Sequence, residues 1–156
     1  MKADPKVIAS LQRALQITIT THEVDKVYRR VAKRRKYKGL RKWFNKSADA
    51  SGEWRWCIEG ILAGYNEPIT VTLNDHKVDT TANMISYLTD QGARAVELRK
   101  LYHEAYEIAE NSGDSTTASK MCDLQDEAEC QIRCLEAFSG QINDMGAGVW
   151  LSTMKK

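Results

Sequence analysis

Proline is nearly absent from this chain, with only Pro5 and Pro68 among 156 residues. Because proline breaks helix interiors, its scarcity leaves long stretches of the sequence free to form helices. There is no run of eighteen apolar residues, which argues against a membrane-spanning helix. The N-terminus lacks the apolar stretch of a secretory signal, so we expect a cytoplasmic protein.

The composition fits one ordinary globular domain over residues 1–156, with 42% hydrophobic and 28% charged residues. The four cysteines are Cys57, Cys122, Cys130 and Cys134. The last three lie on one predicted helix among apolar neighbours, and the spacing of Cys130 and Cys134 is not that of a typical zinc site. We therefore expect reduced, buried thiols rather than disulfides or a metal centre.

Apolar periodicity predicts four long helices. Helix A begins at Pro5 with Asp4 as its N-cap, and a turn at Gly39 separates it from helix B. Gly64 ends helix B, and a turn around Gly113 separates helices C and D. The predicted inner positions are Ile8, Leu11, Leu15, Thr18 and His22 on A, with Ile17, Val24, Tyr28 and Val31 one row over; Trp43, Ser47, Ala50, Trp54, Cys57 and Ile61 on B; Met84, Leu88, Gln91, Ala95, Leu98, Tyr102, Ala105 and Ala109 on C; and Met121, Leu124, Ala128, Gln131, Leu135, Phe138 and Ile142 on D.

Residues 67–80 do not have a helical pattern. Ile69, Val71 and Leu73 alternate with threonines, but there is no partner strand, so we expect an extended crossover. Fourteen extended residues reach roughly 45 Å, enough to return along a helix. Gly146 ends helix D before a short apolar tail at residues 149–151. The predicted fold is all-α: a ferritin-like antiparallel four-helix bundle with a long crossover between helices 2 and 3 and a short C-terminal fifth helix.

Several short segments, in order, make the chain resemble the bacterioferritins over essentially its whole length. These are Val7-Ile8-Ala9-Ser10-Leu11, Ile58-Glu59-Gly60-Ile61-Leu62, Gly92-Ala93-Arg94-Ala95, Leu135-Glu136, Ile142-Asn143-Asp144-Met145-Gly146 and Trp150-Leu151. The resemblance implies a hollow shell of twenty-four subunits that stores ferric mineral.

The resemblance also implies a di-iron site, built from one Glu on each of two helices and a Glu-x-x-His pair on each of the other two. The core positions expected to carry these ligands hold Thr18, Ala50, Glu53, Thr89, Ala128 and Gln131, and no Glu-x-x-His occurs in the sequence. We therefore expect no ferroxidase activity and no iron at a di-iron site. Ser51 stands where the family has its haem-ligating methionine, so we expect no haem.

Three functions are consistent with these residues. The first is a structural shell subunit for iron storage, acting in a homo-oligomer or in a mixed shell with a catalytic bacterioferritin subunit. The second is a ferritin-fold protein that binds nucleic acid or another polyanion. The third is an enzyme with a rebuilt metal site around Glu53 and His22, although a hydrogen-bonded core histidine is the simpler interpretation of His22.

The second function depends on a basic segment at residues 26–46, which has eleven lysines and arginines and no acidic residue. The rest of the chain holds twelve basic and twenty-one acidic residues, a net charge of −9. A solvated helix face explains such a run without any ligand, but the aromatic residues within it also suit contact with anionic chains. The candidate polyanion-binding residues are Arg29, Arg30, Lys33, Arg34, Arg35, Lys36, Lys38, Arg41 and Lys42.

Overall fold

The computed structural model of the protein describes residues 3–71 and 76–156. Within these residues the chain forms five helices and no strand. They are α1 (Pro5–Arg34), α2 (Lys38–Gly64), α3 (Met84–Asn111), α4 (Ser115–Met145) and α5 (Ala147–Thr153). The prediction of an all-α bundle is confirmed. In the described ranges, no helix is both long enough and apolar enough to cross a membrane.

The helix ends follow from local chemistry. The side chain of Asp4 accepts a hydrogen bond from the Lys6 amide, which confirms the predicted N-cap of α1. The predicted turn at Gly39 is wrong, because Gly39 lies inside α2 and the chain instead reverses at Lys36, whose φ is 62°. Asn83 and Asp114 cap α3 and α4 in the same way as Asp4.

The helices pack as two hairpins placed side by side. Helix α1 packs closely against α2 and α3, α3 packs closely against α4, and α2 touches α4 only sparsely. Along α1 and α3 the contacts run in opposite directions, since Tyr28 bonds Asp90 while Thr18 bonds Tyr102. These two helices are therefore antiparallel.

The segment between α2 and α3 follows α1 where it is described. The amides of Gln12 and Gln16 donate to the carbonyls of Pro68 and Thr70, each at 3.0 Å. Further on, the Arg35 guanidinium donates to the Ala82 carbonyl at 2.6 Å. Residues 67–71 and 76–79 are neither helix nor strand. Leu73, part of the predicted alternation, lies outside the described residues.

The apolar core divides into two clusters along the bundle. The first includes Leu11, Trp54 and Tyr102, and the second includes Phe44 and Trp150. Along α1 the first cluster ends at residue 19 and the second begins at residue 24, and polar side chains occupy the level between them. Helix α5 closes the second cluster, because Trp150 is 1% exposed and packs beside Phe138.

The burial of two predicted features differs from expectation. Cys130 and Cys134 are exposed and Cys57 and Cys122 half-buried, so the prediction of buried thiols is wrong for the first pair. All four are free. On α2, the predicted inner residues Trp43, Ala50 and Cys57 are only half-buried. A neighbouring stripe of α2 is buried instead, because α2 packs mainly against α1. This stripe holds Leu40, Phe44, Ser51, Ile58 and Leu62.

Candidate functional site

The six positions where the resemblance places metal ligands lie in three environments. Thr18 and Ala128 lie in the core. A cavity between α2 and α4 is lined by Ala50, Glu53 and Gln131. Thr89 is on the surface. The expected core location is wrong for Glu53 and Thr89, which are exposed. Each is adjacent in sequence to a buried residue, Trp54 or Leu88, and a step of one residue turns about 100° around a helix.

Neutral groups fill the centre of the first core cluster. Thr18 Oγ1 donates to the Ala14 carbonyl at 2.8 Å, and the Tyr102 hydroxyl lies 2.6 Å from Thr18 Oγ1. Since the threonine hydroxyl has one proton, Tyr102 is the donor of the second bond. Tyr102 is fully buried and burial raises its pKa, and Trp54 packs edge-to-face on its ring. The described residues at this centre offer no anionic oxygen to a metal ion.

A buried polar cluster lies between the two apolar clusters. Asp25 is 1% exposed, and its carboxylate accepts from the Gln91 amide at 3.2 Å and from Ser51 Oγ at 3.3 Å. Gln91 in turn accepts from Trp43 Nε1 at 2.7 Å. Helices α1, α2 and α3 thus meet through side-chain hydrogen bonds at this level. Ser51, the position expected to carry a haem ligand in the family, is fully buried and belongs to this cluster.

Asp25 has a strongly shifted pKa. Burial raises the pKa of its carboxyl to about 7, because removal from water penalises the ionised form. The charge of Arg94 and the hydrogen bonds from Gln91 and Ser51 oppose that rise without cancelling it. A carboxylic acid in this state exchanges a proton near neutral pH. Such groups are common at functional sites, although structural networks produce them as well.

Arg94 links this cluster to the surface. Its guanidinium forms an ion pair with Asp90 and donates to the Tyr28 hydroxyl at 3.2 Å. His76 lies 3.4 Å from the same guanidinium, and the Arg94 Nε has no hydrogen-bond partner in the described part of the chain. Burial lowers the pKa of Arg94, whereas the nearby Tyr28 and Asp25 raise it.

His22, Glu23 and Asp25 do not converge on one point. His22 is half-buried, with Nδ1 2.9 Å from the Ala48 carbonyl, as expected for a hydrogen-bonded core histidine. Burial, the largest effect, lowers its pKa. Glu23 instead pairs with Lys26 and Arg55. In the part of the chain that the structure describes, no three His, Cys, Asp or Glu side chains are grouped to hold a metal ion.

The basic segment forms a groove at the α1–α2 end of the bundle. This basic groove has a volume of about 500 Å³ and is lined by Arg29, Arg30, Lys33, Arg41, Lys42 and Asn45. Its cations come from facing turns of two helices, and Arg29 donates to Asn45 at 3.0 Å across it. Among the described residues, none of these five cations has a carboxylate partner within 4.0 Å.

A second depression of about 570 Å³ adjoins the basic groove through Arg30 and is also lined by Arg34 and Arg35. Arg35 is held by backbone carbonyls and lies over the Tyr87 ring. Lys36 and Lys38 are exposed at the turn. All nine candidate polyanion-binding residues are thus at or near one end of the α1–α2 hairpin.

The aromatic residues of the basic segment do not serve this surface as expected. Tyr28 and Phe44 are 4% and 0% exposed, and they pack in the second core cluster. Trp43 is half-buried and bonded to Gln91, and Tyr37 lies beneath Lys155. The prediction that these aromatic residues contact an anionic chain is therefore wrong for Tyr28 and Phe44, whose rings are buried. The groove itself presents cations and one amide.

Sequence reasoning missed the cluster around Asp25. A signal was present, since Asp25 follows Thr18 by seven residues on the inner stripe of α1 and Gln91 lies on the predicted inner stripe of α3. Two polar residues on facing core stripes indicate a buried hydrogen-bonded pair.

No protein-family model matches the chain, and no curated protein is significantly similar to it. Functional proposals therefore depend on the residues themselves.

Proposed function

We propose that this chain is a bacterioferritin-like shell subunit that contributes to iron storage structurally and does not itself oxidise iron. The carrying observation is that two positions where the resemblance requires carboxylates hold neutral core residues: Thr18, which is bonded to Tyr102, and Ala128. A di-iron centre needs bridging anionic oxygens, and Thr, Tyr and Ala do not supply them at neutral pH.

The arrangement of the helices supports the same proposal. The order of neighbours, the hydrogen bonds from α1 and Arg35 to Pro68, Thr70 and Ala82, and the short α5 are the features expected of a ferritin-like bundle with a long crossover. In this proposal the subunit is cytoplasmic and assembles into a shell of about twenty-four subunits, alone or with a catalytic bacterioferritin subunit, with ferric mineral as cargo.

The test is the mass of nuclease-treated protein by light scattering on a sizing column. A homo-oligomeric shell predicts about twenty-four times the 17.7 kDa chain mass. Purified shells should oxidise Fe(II) in air no faster than buffer alone, and Fe(II) should not raise their melting temperature. A monomer or dimer that also fails to enter shells when co-expressed with a bacterioferritin would refute the assembly. Rapid Fe(II) oxidation would refute the loss of activity.

A second function, binding of nucleic acid or another polyanion, is favoured by the basic groove. Five cations from two helices face one depression without carboxylate partners in the described chain, so their charge is available to phosphates. Binding of this kind is independent of base sequence and weakens steeply with salt, because each phosphate contact releases a counterion.

The test compares two triple variants of equal net charge. Arg30→Gln/Lys33→Gln/Lys42→Gln removes cations from the groove, whereas Lys6→Gln/Lys100→Gln/Lys120→Gln removes exposed cations elsewhere. Duplex DNA affinity is measured between low and moderate salt. The groove variant should lower the slope of log affinity against log salt by about 3, and the control by less than about 1. Equal losses of DNA affinity in both variants would show that net charge, and not the groove, drives DNA binding.

A further inference from the structure

The sparse contact between α2 and α4 leaves an open cavity on one face of the bundle. This α2–α4 cavity has a volume of about 370 Å³. Small side chains, Ser47 and Ala50, form its floor on α2, and two indoles, Trp43 and Trp54, border it there. These tryptophans are eleven residues apart, which is about 16 Å along a helix. The size is within the range that small-molecule sites occupy.

One buried polar atom at this cavity has no partner among the described residues. Gln131 lines the cavity and is 7% exposed, and no donor within residues 3–71 and 76–156 bonds its Oε1. Leaving a buried acceptor unpaired is unfavourable, so such atoms call for an explanation. A ligand that brings a hydrogen-bond donor into the cavity would satisfy it.

The charges around the cavity favour a ligand whose hydrogen-bond donor is positively charged. Of the described residues that line it, three are carboxylates, Glu53, Asp126 and Glu127, and one is a cation, Lys46. Glu127 also accepts from Trp54 Nε1, which fixes the indole at the cavity wall. Carboxylates favour ammonium donors over anions.

We propose that the α2–α4 cavity binds a small organic cation with an aromatic body and a primary ammonium group. The aromatic body lies between Trp43 and Trp54 over Ala50. The ammonium group donates to Gln131 Oε1 and is attracted by the carboxylates. This inference is independent of shell assembly and of the basic groove, which lies at the α1–α2 turn and has the opposite charge.

The test uses two probes that share a ring and differ in charge: 1-naphthylmethylamine and 1-naphthoic acid. Calorimetry at pH 7 with the full chain should give one site for the amine and binding at least tenfold weaker for the acid. Cys130 and Cys134 line the cavity, whereas Cys122 does not. Saturating amine should therefore slow maleimide labelling of the first two thiols and leave Cys122 unchanged.

Variants locate the site. Gln131→Leu should weaken amine binding about tenfold, the loss of one hydrogen bond to a charged donor. Gln125→Leu is the matched control on α4, since Gln125 contacts His103 away from the cavity. If Gln131→Leu does not fold, Glu53→Gln replaces it, because Glu53 is exposed, and should weaken the amine but not the acid. Equal affinity for both probes, or amine binding unchanged by Ala50→Phe, would overturn the proposal.

Discussion

Replacing Asp25 by Asn should make the protein more stable at alkaline pH and remove a pH dependence. Asn is nearly the same size, and its amide can still bond both partners: it accepts from Gln91, and it donates to Ser51 Oγ once the Ser51 proton is directed to the Ser47 carbonyl instead of to residue 25. What the substitution removes is a buried negative charge. Arg94 retains its ion pair with Asp90, so no cation is left without a partner.

The size of the effect follows from the pKa of Asp25. The carboxyl has a pKa of about 7 in the folded protein against 3.8 as its ordinary value. The native state therefore binds more protons than the unfolded state between these values, and the free energy of unfolding falls as pH rises through this window. About 3 pKa units at 1.36 kcal/mol each give a loss of roughly 4 kcal/mol above pH 7. Between pH 5 and pH 8 the loss is about 3 kcal/mol.

The measurement is urea unfolding of the wild type and Asp25→Asn at pH 5, 6, 7 and 8. Asp25→Asn should gain about 3 kcal/mol relative to wild type over this range, while histidine titration cancels in the difference. Asp49→Asn makes the same acid-to-amide change at an exposed position of α2 and is the matched control. A difference that stays flat for Asp25→Asn would refute the burial argument, because it would mean that the carboxyl ionises as freely as in water.

Three further predictions concern packing. Gly52→Ala should destabilise by about 1–3 kcal/mol, because the added Cβ would lie 2.9 Å from His22 Cε1. In a His22→Ala background the same change should stabilise by up to about 1 kcal/mol through helix propensity, and a loss in both backgrounds would contradict the clash. Thr18→Val should cost about 1–3 kcal/mol by leaving the buried Tyr102 hydroxyl unpaired, and close to nothing once Tyr102→Phe is present. Gly146→Ala should cost about 1–3 kcal/mol, because φ 82° and ψ 148° suit only glycine. Thermal and urea unfolding measure all three.

The sequence was sufficient for the helices because the relevant signals are local. Asp4 and Pro5 start α1 as expected, and all eight inner positions predicted for α3, from Met84 to Ala109, are buried. The prediction was less accurate on α2, where the periodicity of Trp43 and Ala50 identified a stripe beside the one that packs on α1. A stripe of small and aromatic residues does not reveal which neighbouring helix it will meet.

The candidate sites depended on contacts between residues far apart in the sequence. The list of basic residues was readable in the sequence, but only the α1–α2 packing shows that Arg29 and Arg41 line one groove and that Tyr28 and Phe44 do not. Thr89 was misplaced by the resemblance. The register that the resemblance implies puts Thr89 on the core face of α3, but the residue is exposed.

The sequence by itself determined the helices, most of their buried faces and the absence of Glu-x-x-His, because caps, helical periodicity and motifs are properties of neighbouring residues. The tertiary structure alone decided that Asp25 is desolvated and that Gln131 borders an open cavity. Desolvation and hydrogen-bond satisfaction depend on what the other helices bring to each side chain. For Asp25 the hydrogen-bonding partners lie 26 and 66 residues away in sequence.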